Sequence, residues 1–219
     1  MATLLLRLQG PMQSWGTTSR FNERDTQLEP SKSGVLGLCC AALGRDRSEP
    51  VDDLAALRMG VRVDREGVPM RDFHTLIDVV GSSGTIRKDP VVSYRNFLSD
   101  AVFLVGLEGE RALLERLQGA LRAPVWPLFL GRKSFVPSAP VYLPDGLVDL
   151  PLVQALKSCP LLVKPRTQRF RLVVESDGEG SIRLDQPVAP FSERRFGPRH
   201  VVSFYETTGG EHVSGPPMA

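Results

Sequence analysis

Four short segments of the chain, of three kinds, carry side chains that can hold an anion or a flat ring. The first is residues 9–16, where Met12, Gln13 and Trp15 follow an apolar stretch. An amide can hydrogen-bond to a nucleotide, and an indole ring can stack on a base with a gain of about 1–3 kcal/mol. The same indole can instead fill the core, and taken alone this segment favours the core.

The second segment combines the hydroxyls of Ser31 and Ser33 with the ammonium of Lys32, just before Gly34. At the start of a helix, these groups and the free backbone N–H groups would form an anion site. Serine is also a common helix cap, so the pattern has a purely structural explanation as well. Because Lys32 precedes the glycine and the GxxxxGK[ST] spacing is missing, no ATP-binding loop is indicated.

The third kind of segment places cations beside an aromatic ring or a glycine. Tyr94 precedes Arg95, and Arg132 and Lys133 follow a glycine. Arginine offers a bidentate fork for phosphate and a plane for stacking, which suits a flexible single strand better than a duplex groove. A solvated loop explains these residues equally well.

Groups for acid–base catalysis are scarce in this sequence. Of the three histidines, His74 lies in a strand-like stretch close to Arg71. A histidine satisfied by local hydrogen bonds is the simpler interpretation. The sequence has no HExxH or GxSxG motif and no spacing typical of a metal site, so we expect neither a cofactor nor a metal.

The composition is that of a globular protein with segregated charge. The 27 Lys and Arg residues against 25 Asp and Glu residues give a formal net charge of +2, which excludes a histone-like polycation. Residues 116–144 and 150–174 nevertheless contain no acidic side chain and could form a phosphate-binding stripe. Since no apolar run approaches the roughly 20 residues of a membrane span and no signal peptide is recognisable, we expect a cytoplasmic protein without membrane contact.

The order of the elements predicts an α+β fold. Predicted in turn are a strand at 3–8, a helix from 31 to 44, a helix at 51–59, a hairpin turning at 66–67, a strand at 101–107, a helix at 110–121 and a strand ending near 143. Strand, helix, strand, strand, helix, strand is the order of a ferredoxin-like unit. We therefore expect such a domain at 1–148 with a projecting thumb at about 81–100, a smaller β-rich part at 149–208, and a loose tail at 209–219.

Five sequence motifs occur in an order that is typical of one protein family. The motifs LRL (6–8), GPMQSWG (10–16), PSKSGVLG (30–37), RDFHT (71–75) and LGRKS (130–134) closely resemble the CasD family, the D subunit of type I-E CRISPR Cascade complexes in the RAMP superfamily. The resemblance covers residues 3–143 well and 199–206 more loosely.

The resemblance implies a ferredoxin-like (RRM-like) RAMP palm with a β-hairpin thumb, acting in antiviral defence. Such a subunit would grip the 5′ handle of the guide crRNA without catalysis. It would contact the Cascade backbone subunit and the large subunit, and target DNA only through the complex. The RNA-binding residues carried over are Met12, Gln13, Trp15, Ser31, Lys32, Ser33, Arg71, His74, Tyr94, Arg95, Arg132 and Lys133.

Two other functions remain open at this point. In a metal-independent endoribonuclease, His74 with Lys32, Arg71 or Tyr94 would assist attack of a ribose 2′-hydroxyl on the adjacent phosphate. A small-molecule enzyme on a ferredoxin-like frame would need a cofactor motif, and the sequence has none.

Overall fold

A computed structural model describes residues 1–19, 22–81, 83–86, 89–164 and 168–207. It confirms the α+β class, because two largely antiparallel sheets pack with a few helices. The predicted tail at 209–219 and part of the basic stretch at 164–171 lie outside the described residues. No helix in the described part of the chain is long and apolar enough to cross a membrane.

The larger sheet has seven strands, and all its neighbouring pairs are antiparallel. In spatial order they are β10 (Ser181–Pro187), β11 (Phe196–Thr207), β9 (Arg169–Ser176), β4 (Arg58–Arg65), β7 (Val102–Gly109), β1 (Ala2–Gln9) and β8 (Tyr142–Val148). Because β9 pairs with β4, the strands after residue 148 continue this sheet.

Helices cover both faces of the larger sheet. They are α1 (Lys32–Leu43), α2 (Asp52–Ala55), α3 (Arg111–Arg122) and α4 (Leu152–Ser158). Successive side chains of a strand point to opposite faces, so Leu4 and Leu6 join the main core under α1 and α3, whereas Leu5 joins a second core under α4. Helix α4 packs closely on the sheet because Gly60 and Gly106, which are paired in register, lie against Leu152 and Leu156.

The caps of α1 confirm the bounds expected from the sequence. The Ser31 side chain accepts a hydrogen bond from the Gly34 amide, and Gly44 ends the helix with a φ of 73°. The second helix is shorter than predicted. It stops at Ala55, because Met59 already lies in β4 and its side chain is buried in the main core.

The smaller sheet is built around β6 (Val91–Ser99). The strand β5 (Val68–Leu76) pairs with it antiparallel along its whole length, while β2 (Met12–Gln13) and β3 (Glu23–Arg24) pair with its other edge. All nine residues of β5 are exposed. We call β5, β6 and their turn the exposed hairpin.

The predicted hairpin turning at Glu66 and Gly67 is wrong, although both of its strands exist. The strand β4 pairs with β7 and β9, whereas β5 pairs with β6 in the other sheet. Alternating side chains reveal a strand but not its partner. The exposed hairpin therefore begins at Val68, before the thumb bounds of 81–100, and those bounds contain only its second strand.

Candidate functional site

Two loops that are distant in sequence meet at one point. The Ser14 amide donates to the carbonyl oxygen of Leu130 at 3.1 Å. Gly131 has a φ of 92°, and a Cβ added there would lie 1.7 Å from the Ser14 carbonyl oxygen. Only glycine fits such a backbone contact. This contact fixes the opening loop, residues 9–16, beside the basic loop, residues 131–134.

The three residues predicted to contact RNA in the loop of residues 9–16 are largely buried in the structure. The Trp15 ring is only 1% exposed, and its Nε1 donates to Oε1 of Gln13 at 3.2 Å. Gln13 is fully buried and donates to the carbonyl oxygen of Ala101 at 2.8 Å. Met12 is half-buried against the main core. Because its ring packs beneath Gly34, Trp15 supports α1 and has no free face for a base.

The start of α1, where an anion site is predicted, is paired with acidic side chains of the chain itself. The Lys32 ammonium is buried and lies 3.1 Å from both carboxylate oxygens of Glu175. Burial lowers the pKa of Lys32, and Glu175 opposes that change. The Lys32 amide donates to Asp185 at 2.7 Å, and Asp185 is paired with Arg199. A carboxylate of the chain itself therefore occupies the place expected for an external anion.

A cleft of about 860 Å³ opens beside α1. Four residues predicted to bind RNA line it, namely Ser31, Ser33, Lys133 and the almost fully buried Trp15. The sequence did not predict its aromatic walls, which are Trp126, Phe129, Phe191 and Phe196. We call this the aromatic cleft. Two signals pointed to the walls: Trp126 and Phe129 lie in the acid-free stretch 116–144, and Phe191 and Phe196 flank a pair of arginines.

Positive charge gathers at the basic-loop end of the aromatic cleft. Arg24 and Arg95 are register partners on β3 and β6, and the Arg132 guanidinium donates to the Asn96 carbonyl oxygen at 2.8 Å. Burial lowers the pKa of Arg132, and the charges of Arg95 and Arg24 lower it further, whereas the carboxylates of Asp72 and Asp25 oppose this change. The Nε atom of Arg95 is buried and has no hydrogen-bond partner among the described residues. These three residues form the arginine cluster, whose mutual repulsion an anion would relieve.

The remaining predicted residues lie on the exposed hairpin. The Arg71 guanidinium lies 4.1 Å from the centre of the Tyr94 ring and pairs with Glu23 at 3.0 Å. His74 lies opposite Ser93, one position along from the pair that contains Tyr94. Neighbouring pairs point to opposite faces, so the hairpin separates His74 from Tyr94 and Arg71.

The side chains of this site can recognise negative charge and flat rings. Across the described residues, no group of three or more His, Cys, Asp or Glu side chains is arranged to hold a metal ion. Burial raises the pKa of Cys39 to about 12 and that of Cys40 to about 11, so both thiols stay protonated at neutral pH. Guanidinium groups can bind phosphate, and aromatic walls can hold a base.

Comparison with known proteins gives one consistent result. Residues 3–202 match the family model described as CRISPR-associated protein (Cas_Cas5). The chain is 32% identical over 155 residues to CRISPR system Cascade subunit CasD of Escherichia coli (strain K12), covering 64% of this chain and 69% of that protein.

Solved structures agree with that result. A structure described as "Crystal structure of Cas protein" is 56% identical with a TM-score of 0.79, covering 94% of this chain and 95% of the other. A chain from a "CRISPR RNA-guided surveillance complex" is 35% identical with a TM-score of 0.78, covering 94% and 90%. The resemblance to CasD drawn from the motifs is thus confirmed, and the chain belongs to the Cas5 family of CRISPR-associated proteins.

Proposed function

We propose that this chain is a non-catalytic RNA-binding subunit of a Cascade complex that holds the 5′ handle of the guide crRNA. The observation that carries the proposal is the arginine cluster beside the aromatic cleft. Guanidinium groups bind the phosphates of a bent single strand, and aromatic and hydroxyl groups receive its splayed bases. The relatives named as a Cascade subunit and as part of an RNA-guided surveillance complex support this assignment.

The palm in this proposal is the ferredoxin-like part of the larger sheet. The strand order β4, β7, β1, β8, with α1 and α3 as the connecting helices on one face, supports it. The exposed hairpin is the thumb. It places Tyr94 and Arg95 next to the short strand that carries Arg24, where the RNA backbone would pass.

Neighbouring proteins would be the Cascade backbone subunit and the large subunit. Near its tip, the exposed hairpin presents the apolar side chains of Ile77, Val80 and Ile86, each more than 60% exposed. Apolar groups gathered at a projecting tip favour contact with another protein. Target DNA would be read by pairing with the guide, and this chain would meet it only through the complex.

The alternative function, a metal-independent endoribonuclease, has one supporting observation. The Nε2 atom of His74 lies 3.3 Å from a carboxylate oxygen of Asp72, as a positioned base would. Against it, the proposed helpers are elsewhere: Lys32 is buried against Glu175, and Arg71 and Tyr94 occupy the other face of the hairpin. The geometry therefore favours binding over cleavage.

The test measures affinity for labelled repeat RNA from the host CRISPR array over a range of salt concentrations. If about four phosphates are neutralised, log affinity falls with log salt at a slope of about −3, using about −0.7 per phosphate. Replacing Arg132 and Lys133 together by Ala should reduce the slope to about −1.5. The matched control replaces Arg116 and Lys164, two exposed cations that do not line the cleft, and should leave the slope unchanged.

Cleavage is measured by incubating the chain with the same labelled RNA in the presence of EDTA and separating the products on a gel. We expect intact RNA from the wild-type chain and from His74→Ala. Defined cleavage that His74→Ala abolishes would overturn the non-catalytic assignment. An unchanged salt slope in the Arg132 and Lys133 variant would remove both residues from the RNA contacts.

A further inference from the structure

The larger sheet ends in a strand whose outer edge is open. Strand β10 pairs with β11 on one side, and no described strand pairs with its other side. Ser181, Ile182 and Leu184 are exposed, whereas Gln186 and Pro187, beyond a shift in register, are largely buried. At about 3.3 Å per residue, the open edge at residues 181–184 is about 13 Å long. Backbone N–H and C=O groups along such an edge can pair with a further strand.

The charged side chains of β10 are bound within the fold. Arg183 donates to the carboxylate of Glu29 at 2.8 Å. Asp185 is 2% exposed and accepts hydrogen bonds from the Arg199 guanidinium and from the Lys32 amide. Edge strands commonly avoid unwanted pairing by presenting free charges, above all lysine. Because both charges of β10 are used inside the protein, they do not oppose the approach of another strand.

The open part of β10 also carries two large apolar side chains. Ile182 is 59% exposed and Leu184 is 54% exposed. Neither belongs to the main core or to the second core. Cross-strand contacts with an added strand would shield both side chains from water, which favours pairing.

Opposite charges lie at the two ends of β10. The turn between β9 and β10 carries Asp177 and Glu179, and the loop between β10 and β11 carries Arg194 and Arg195, all of them exposed. Among the described residues, Asp177, Glu179 and Arg194 form no ion pair, while Arg195 pairs with Glu193 at 3.2 Å. Antiparallel strands run in opposite directions, so a second β10 would bring its acidic turn beside the arginines of the first. The strand is thus complementary to itself in charge.

We propose that two copies of this chain associate in solution through β10, with the two strands antiparallel and related by a two-fold axis. Such an interface uses the same surface on both copies and closes after two. It joins two seven-stranded sheets into one continuous sheet. The inference is independent of the proposed RNA-binding function, since the residues of β10 neither line the aromatic cleft nor belong to the arginine cluster.

Sedimentation of the full chain, freed of nucleic acid and measured over a dilution series, tests the proposal. The mass should rise from 24.1 kDa toward twice that value as the concentration increases through the micromolar range. Leu184→Lys places a charge on the open edge and should weaken association about tenfold or more. The matched control is Leu28→Lys, which alters a 52% exposed leucine outside β10 and should leave association unchanged. Thermal unfolding checks that each variant is folded.

Charge reversal tests the antiparallel arrangement. One variant replaces Asp177 and Glu179 by Lys, and the other replaces Arg194 and Arg195 by Glu. Each variant alone brings like charges together at both ends of the interface and should associate about tenfold more weakly than the wild type. An equimolar mixture of the two variants restores opposite charges at both ends and should form a heterodimer. High salt should reduce these differences, because the four side chains are exposed.

The remaining outcomes overturn the proposal. A wild-type chain that stays monomeric at every concentration contradicts it, and dimers formed only by a chain that ends at Thr207 would assign the open edge to residues 208–219. A dimer that Leu184→Lys and both charge variants leave intact uses another surface. Species that grow beyond two copies contradict the two-fold closure, and a mixture of charge variants that stays monomeric contradicts the antiparallel arrangement.

Discussion

Adjacent residues at the start of α1 have opposite environments because a helix turns about 100° per residue. Ser33 lines the aromatic cleft, whereas Lys32 is buried against Glu175 on the C-terminal part of the sheet. A lysine beside a serine cap suggests phosphate binding on composition alone. The partners that decide its role, Glu175 and Asp185, are more than 140 positions away, and no local pattern reveals them.

A first prediction follows from this buried pair. Glu175→Ala should lower the free energy of unfolding by about 3 kcal/mol, because it leaves the Lys32 charge buried without a partner. Lys32→Met should cost less, since it removes the charge and keeps most of the side-chain volume. Denaturant titration measures both changes.

The Lys32→Met variant also tests whether Lys32 contacts RNA. Lys32→Met should bind the labelled repeat RNA within about twofold of the wild type, because the ammonium of Lys32 is buried against Glu175 and does not reach the cleft. A loss of affinity comparable to that of the Arg132 and Lys133 variant, in a fully folded protein, would return Lys32 to the RNA contacts.

At the scale of elements, the loop between β2 and β3 depends on one carboxylate. Asp25 accepts hydrogen bonds from the amides of Thr17 and Thr18, at 3.0 and 3.1 Å, and from the Ser19 hydroxyl. Burial alone would raise the pKa of Asp25. The hydrogen bonds from Ser19, Thr17 and Thr18 outweigh that effect and hold the pKa below its usual 3.8.

A second prediction concerns the pH dependence of this loop. The stabilisation from Asp25 is present above pH 3.8 and is lost as the pH falls through the lower pKa of the folded state. Asp25→Asn should therefore lower the free energy of unfolding by about 1 kcal/mol near neutral pH, allowing for solvent screening. The difference from the wild type should shrink below about pH 4, which urea titrations at several pH values can measure.

The control for this prediction is Asp145→Asn, at an exposed position on β8. It should change stability little at any pH. A difference for Asp25→Asn that grows on acidification would contradict the assigned direction of the pKa.

Local signals in the sequence predicted the helices and strands better than they predicted the contacts between them. The serine and glycine caps gave α1 its bounds, and alternation found β4 and β5, because both signals lie within a few residues. Local patterns do not predict features that join distant segments of the chain. Such features are the pairing of strands, the hydrogen bond from α1 to Asp185 and the aromatic walls of the cleft. Trp15 is an example, since its sequence neighbours are compatible both with stacking on a base and with burial in the core.

For the whole molecule, the C-terminal strands are part of the main fold and not an appendage. Strand β9 pairs with β4 and supplies Leu172 and Val174 to the second core, and the same strand carries Glu175. The position of α1, and with it one side of the cleft, therefore depends on residues from both ends of the chain.

A third prediction tests this dependence by truncation. A chain that ends at Val163 lacks β9, β10 and β11 and should lose its cooperative thermal transition, because β4 loses a neighbour and Lys32 loses its counter-charge. A chain that ends at Thr207 keeps every described element and serves as the control. Circular dichroism during heating measures both, and a cooperative transition in the shorter chain would show that residues 1–163 fold independently.

The path of the exposed hairpin also bears on how this family can change over evolution. The chain leaves the larger sheet after Arg65 and re-enters it at Val102, and these two residues are register partners. Insertions or deletions at the turn between β5 and β6 therefore leave the pairing of the larger sheet intact. Lineages can lengthen or shorten this finger to suit a different neighbour while inheriting the rest of the structure unchanged.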